Sequence, residues 1–321
     1  MPAVRPLILV ALFASPAWAG AAVLLFPSLG TPGLVTVSGR VLKEAPSKGS
    51  STFSRNLRRL TSSNWVGAPV EVRYAGRSAQ VTSGHDGNFH VAFPGGEHPF
   101  ETGFATAEAS VKGADTGIAT VNVVPTTAPF FVVSDFDDTL AVTNVLDKSA
   151  LVKASLLQDE KTQPVVEGMA AFYGCLEADK LARPGFALVS GSPVQYLGRV
   201  REFLGAHRFP PFGVYLRDFG PSTLSNYKQP VIRALLDDLP NDVVLVGDSG
   251  EHDPEVYAQL RAEFPARVKA IYIRDAGRSN EPRFEGMVLF KHPREAALDA
   301  VQKGLATASC VEQAFPTVEK K

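Results

Sequence analysis

"FFVVSDFDDTLAVTN", Phe130 to Asn144, sets five apolar or small residues ahead of Asp135, Asp137 and Asp138, with Thr139 behind them. Two readings compete. A buried strand reads as a short apolar run bounded by turn residues, and Asp is at home in turns. Alternatively, the period of two of an extended chain points Asp135 and Asp137 the same way. Two carboxylates so placed repel by about 4 kcal/mol at 4 Å and an effective dielectric near 20, so a cation belongs between them. In open α/β sheets, ligands bind past the carboxyl ends of strands, where this cluster falls.

The text from Pro129 onward alternates strands with helical stretches, the pattern of a largely parallel α/β sheet. Strands are expected at Phe130–Ser134, Gly185–Ser190, Gly213–Leu216, Asp242–Asp248 and Val268–Arg274, and helices at Pro193–Leu204, Lys228–Leu239 and Pro254–Phe264. Polar residues gather at the strand ends. Ser190 closes the second strand, Ser192-Pro193 opens a helix whose N–H groups favour an anion, and Asp248 closes the fourth inside "GDSGEHD". Asp135, Asp137, Ser190 and Asp248 therefore converge on one edge, with Lys228 starting the helix that leads to the fourth strand.

Such a set suits phosphoryl transfer. Mg²⁺ takes one or two carboxylates plus substrate phosphate. An Asp can act as nucleophile, and a second carboxyl can protonate the leaving alkoxide and then activate water. Lysine and hydroxyl donors stabilise the transferred group.

"DFDDT", "LVS", Lys228 and "GDSGEHD" resemble, in order, the four motifs of haloacid dehalogenase-like (HAD-like) phosphatases. With "LVSGSPVQYL", "YLRDFG", "LVGDSGEHDPEVY" and "AIYIRD", the stretch from Pro129 to Asp275 is similar to the catalytic domain of the actin-patch-associated phosphatidate phosphatase family. The resemblance implies a HAD-like Rossmannoid sheet and hydrolysis of phosphatidate to diacylglycerol and phosphate. It implies Asp135 as nucleophile and Mg²⁺ ligand, and Asp137 as general acid/base with its backbone carbonyl also on the metal. Thr139 would fix the loop, Ser190 and Lys228 hold the phosphoryl group, and Asp248 complete the metal site. Asp253 would ligate through water or support Asp248, although just before Pro254 it also reads as a helix cap. Ser192, Arg217 and Arg274 are further candidates for substrate binding, and pairing of the arginines with nearby Asp218 and Asp275 is the alternative.

Residues 20–125 read differently, as short alternating strands with Gly-rich turns. Ala21–Phe26, Leu34–Leu42, Ala68–Tyr74, Ser78–Ser83, Asn88–Phe93 and Ile118–Val124 suggest a small all-β sandwich, with Asp86-Gly87 as a hairpin signal. The order "GRV", "APVEV", "DGNF" resembles transthyretin-like accessory modules. Ser51–Leu60, with Arg55, Arg58 and Arg59, reads as a short basic helix, either a solvated insertion or a contact for anionic head groups.

Arg5, the apolar run Leu7–Ala14 and "AWA" at Ala17–Ala19 predict an export signal over residues 1–19, cleaved before Gly20, and hence a periplasmic or secreted protein. An N-terminal membrane anchor is the alternative, because Ala21–Phe26 prolongs the apolar stretch. Cys175 and Cys310 are the two cysteines, and two separate thiols are preferred over a disulfide. With a net charge of −1 over 321 residues, nothing suggests nucleic acid.

The expected architecture is thus a β-sandwich at 20–125, a catalytic α/β domain at 129–308 and a tail at 309–321. Only about 50 residues separate the first two α/β strands, so the cap is minimal. An open site suits a phospholipid at a membrane surface. Another phosphomonoester, or a non-catalytic surface-binding role, are the alternatives.

Overall fold

A computed structural model describes residues 20–44, 63–143, 163–178, 181–218, 227–278 and 282–316. The export signal at 1–19 and the basic helix at Ser51–Leu60 lie outside them.

The second part of the chain carries a six-stranded sheet in the order β12-β11-β10-β13-β14-β15. Its strands are β10 (Phe130–Ser134), β11 (Phe186–Pro193), β12 (Gly213–Arg217), β13 (Asp242–Asp248), β14 (Val268–Arg274) and β15 (Val288–Phe290). Every neighbouring pair is parallel. Parallel strands buried on both faces need unbroken apolar runs, and all five residues of β10 are buried. Their period of two splits them: Phe130 and Val132 enter one core, Phe131 and Val133 the other.

The first core is covered by α1 (Met169–Glu177), α2 (Leu197–Ala206), α5 (Pro293–Gln302) and α6 (Ala308–Ala314). The second is covered by α3 (Lys228–Asp238) and α4 (Asp253–Glu263). Because β11 and β12 extend to one side of β10 and β13 and β14 to the other, the strand order reverses beside β10, where ligands bind in such sheets.

Two sequence expectations are corrected here. Cys175 of α1 and Cys310 of α6 form a disulfide, their Cα atoms 5.6 Å apart, because helices 135 residues apart in sequence pack side by side. The expected tail from residue 309 accordingly holds α6, with Val311 and Phe315 buried in the first core.

The first part forms a nine-stranded sheet from β1 (Ala21–Leu25) to β9 (Gly117–Val123). β2 spans Ser28–Thr31, β3 Leu34–Leu42, β4 Pro69–Tyr74, β5 Arg77–Thr82, β6 Asn88–Pro94, β7 Gly103–Ser110 and β8 Ala114–Asp115. Its halves share one core, in which Val35, Val37 and Val91 meet Val70, Val72 and Ala107. The tight hairpin is not at Asp86-Gly87. It is at Ala75-Gly76, between the paired strands β4 and β5, where both residues take positive φ (47° and 76°) as a twist-matched two-residue turn requires. Asp86-Gly87 instead passes the chain from β5 to β6, which pairs with β3.

The two parts meet along β12. The Val214 N–H donates to the Pro27 carbonyl at 2.7 Å and the Leu29 N–H to the Tyr215 hydroxyl at 3.1 Å. Leu29 and Val124 enter the second α/β core. The edge strand β12 is thereby covered.

Candidate active site

The opening stretch resolves both of its readings. Past β10 the Asp135 N–H still donates to the Val246 carbonyl of β13, at 2.9 Å, so Asp135 keeps the sheet's register. Phe136 turns into the first core. Asp138 is the turn residue: its φ is +52°, which Asp tolerates, its N–H donates to the Ala141 carbonyl and its Oδ1 accepts from the Thr143 N–H. Asp135 and Asp137 are left free of the turn's hydrogen bonding. Thr139 Oγ1 reaches Asp135 Oδ2 at 3.5 Å.

A cation, Lys228, does stand beside Asp135, although its ion pairs run on to Asp253 and Glu251 and not to Asp137 among the described residues. From the first turn of α3, its buried Nζ stands 2.8 Å from Asp135 Oδ1, 2.5 Å from Asp253 Oδ1 and 3.5 Å from Glu251 Oε2. Asp135 Oδ1 is within ion-pair reach yet accepts no well-angled hydrogen bond, so Coulomb attraction dominates that contact. Burial alone would push the ammonium down; the surrounding carboxylates, Asp135 first, outweigh it and raise it well above the usual lysine value.

Asp137 is held on the other side. Ser192 Oγ donates to its Oδ2 at 2.7 Å and Ser190 Oγ at 3.4 Å, while the Ser192 N–H donates to Ser190 Oγ at 3.0 Å. Burial raises the Asp137 carboxyl, opposed in part by the Ser192 bond. A carboxyl biased toward its protonated form is suited to give a proton to a leaving alkoxide.

Asp248 ends β13, and its Oδ1 accepts from the N–H groups of Gly250 and Glu251 at 2.6 and 3.2 Å. Its buried Oδ2 has no hydrogen-bond partner among the described residues. Burial raises Asp248 to about 8 and also raises Asp135 and Glu251. Oxygens of Asp135, Asp248 and Glu251 lie within 4.8 Å of one another. Two buried carboxylates and a half-buried one, all biased toward protonation, with Asp135 Oδ1 and Asp248 Oδ2 lacking a hydrogen bond among the described residues, fit a hard divalent cation, which would remove that bias.

Glu251 is the residue that sequence reasoning missed; it sits in an irregular loop, where no period marks its direction. Asp253 is not a cap but is bonded to Asp248, the placement in which it would support that residue. It starts α4 without capping it, its Oδ1 paired with Lys228 and its Oδ2 accepting from the Asp248 N–H at 3.3 Å. The Asp137 side chain, bound to the serines, is outside the three-carboxylate group. Arg217 and Arg274 both donate to backbone carbonyls, Arg217 Nε to Gly191 at 3.1 Å and Arg274 Nη1 to Asp138, so each braces a loop that carries the site.

Residues 130–275, which contain all of these groups, match the family model described as phosphatidate phosphatase APP1, catalytic domain. This segment is similar to that family's catalytic domain. The segment is 33% identical over 151 residues to phosphatidate phosphatase APP1 of Saccharomyces cerevisiae, covering 44% of this chain and 25% of that protein. It is 31% identical over 156 residues to an uncharacterized protein of Schizosaccharomyces pombe, covering 45% and 25% respectively. The chain thus spans about a quarter of the length of these relatives. A solved Pnkp1/Rnl/Hen1 complex overlaps 51% of this chain and 46% of its own at 15% identity, with a TM-score of 0.33, too low to bear on the fold.

Proposed function

We propose that this chain is an exported, Mg²⁺-dependent phosphatidate phosphatase of the HAD-like type, acting through an aspartyl-phosphate. The observation that carries the reading is Asp135 facing Lys228 at 2.8 Å, with Asp137 two residues on and held by Ser192. Asp135 attacks the phosphorus, the bond to the diacylglycerol oxygen breaks, and Asp137 delivers its proton to that oxygen. Asp137 then takes a proton from water, whose oxygen attacks the phosphoryl group and frees Asp135. Lys228, Ser190 and Ser192 offset the charge on the transferred oxygens. Asp135, Asp248 and Glu251 would hold Mg²⁺, which screens the phosphate from the carboxylates. Asp253 keeps Lys228 aimed at Asp135.

Export is supported by the apolar run and small residues of 7–19 and by the Cys175–Cys310 disulfide, since disulfides persist in oxidising compartments. No helix among the described residues is long and apolar enough to cross a membrane.

The test is phosphate release from phosphatidate in mixed micelles, with Mg²⁺ or EDTA, beside Asp135→Asn and Asp137→Asn. Mg²⁺-dependent release lost in both variants is expected. Turnover of soluble esters alone would keep the mechanism and discard the lipid, and wild-type activity in Asp135→Asn would refute the nucleophile.

A further inference from the structure

The weakest part of the site by regular structure is the end of β11. Pairing with β12 joins Ser190 to Leu216 and Pro193 to Arg217, with a register shift between the two pairs. Gly191 and Ser192 fall in that irregularity, yet Ser192 makes the shortest bond to Asp137, at 2.7 Å. Bulges next to active sites re-aim side chains, and they hold their aim only if something fixes the extra residues.

Arg217 fixes them through its bond to the Gly191 carbonyl. What fixes β12 at this point comes from the other part of the molecule. The Asp218 carboxylate, immediately after β12, is held one oxygen at a time: Arg40 Nη2 donates to Oδ1, and Asn88 Nδ2 donates to Oδ2 at 2.8 Å. Arg40 is buried while Asp218 is half exposed, and Arg40 Nε is itself fixed on Asn88 Oδ1 at 2.8 Å. Asn88 Nδ2 is shared with Asp86 Oδ2 at 2.9 Å. A buried guanidinium aimed at a carboxylate of the other part is a costly arrangement for a spacer, because stranding the buried charge is strongly unfavourable.

We propose that Asp218, clamped by Arg40 and Asn88 of the β-rich part, is a positioning residue that sets the Ser190–Ser192 bulge and so the direction of the Asp137 carboxyl. The connection runs Arg40 and Asn88, Asp218, Arg217, the Gly191 carbonyl, Ser192, Asp137, every link a hydrogen bond or a chain neighbour. The β-rich part is then a component of the catalytic geometry rather than a tethered accessory. Its catalytic consequence rests on the acid/base role proposed for Asp137; its structural consequence does not.

The test uses the full mature chain with Asp218→Asn, which keeps the side chain's shape while withdrawing the charge from Arg40, together with Arg217→Ala and the double variant. Misaiming Asp137 is expected to lower kcat on phosphatidate about ten-fold with KM changed less than about two-fold, since positioning errors act on the reacting geometry. Amide exchange at Gly191 and Ser192 is expected to rise about five-fold or more in Asp218→Asn. The double variant should match Arg217→Ala alone, because both lie on one connection. Unchanged exchange at Gly191 and Ser192, or losses that multiply in the double variant, would overturn the proposal. If the wild type hydrolyses no ester, the exchange measurement alone decides it, so failure of the enzymatic reading and failure of the clamp are told apart.

Discussion

Glu251→Gln tests the metal site by its sign. With the carboxylates ionised and no metal bound, Glu251 lies within 4.8 Å of the Asp135 and Asp248 oxygens and 3.5 Å from Lys228 Nζ. At an effective dielectric near 20, each repulsion costs about 3.5 kcal/mol and the attraction returns about 4.7 kcal/mol. Removing the charge while keeping the shape therefore leaves the metal-free protein about 2 kcal/mol more stable, a rise in Tm of about 4 °C for a chain of this size. Magnesium reverses the logic. At a hundred times its Kd it stabilises the wild type by about 2.7 kcal/mol. A variant binding about 100-fold more weakly gains less than about 0.5 kcal/mol from the same concentration. Melting both proteins in EDTA and across a Mg²⁺ titration at pH 8.5 measures the two effects without any substrate. If the variant melted lower than wild type in EDTA and kept the full Mg²⁺ shift, Glu251 would not be a ligand and the electrostatic argument would fail.

Burial raises Asp135, Asp248 and Glu251, with Asp248 at about 8, so the native protein binds more protons than the unfolded chain from about pH 4 up to about pH 8. Stability in EDTA should fall as pH rises through that window and be largely restored by Mg²⁺ at its upper end; melting curves rising from pH 5 to 8 in EDTA would contradict this. A Cβ on Gly247 would meet Asp253 Oδ2 at 2.4 Å and its Cγ at 2.8 Å. Gly247→Ala should cost about 1–3 kcal/mol by overpacking and lower kcat by turning Asp253 away from Lys228, checked by melting and phosphate release. Cys310→Ser should cost about 2–5 kcal/mol, and a reductant that lowers the Tm of wild type should leave this variant unmoved.

What the sequence made legible depends on whether position follows from local register. Asp135, Ser190 and Asp248 each terminate or follow an apolar run, so the strand fixes where they stand and the parallel sheet brings the ends together. Lys228 begins a helix with a readable apolar face, so its place at the start of α3 followed from the sequence, while its pairing with Asp253 and Glu251 did not. Glu251 lies on a loop, whose course depends on Arg283 donating to the carbonyls of Ser249 and Glu251, contacts across 34 and 32 residues that no periodicity announces. The arginines illustrate the same boundary: register puts Arg217 and Arg274 on the active edge, but only packing shows their guanidiniums bonded to backbone carbonyls. Among the secondary elements, β7 is Ala-rich and offers little apolar contrast, and α1 is apolar nearly all round, so neither shows its period. The opening stretch carries the general point. A turn and a site were opposed readings because both use Asp, and the chain uses Asp138 for one and Asp135 with Asp137 for the other. The left-handed Asp138, directly after the second carboxyl and past the end of β10 at Ser134, turns the chain away and leaves Asp137 facing its serines.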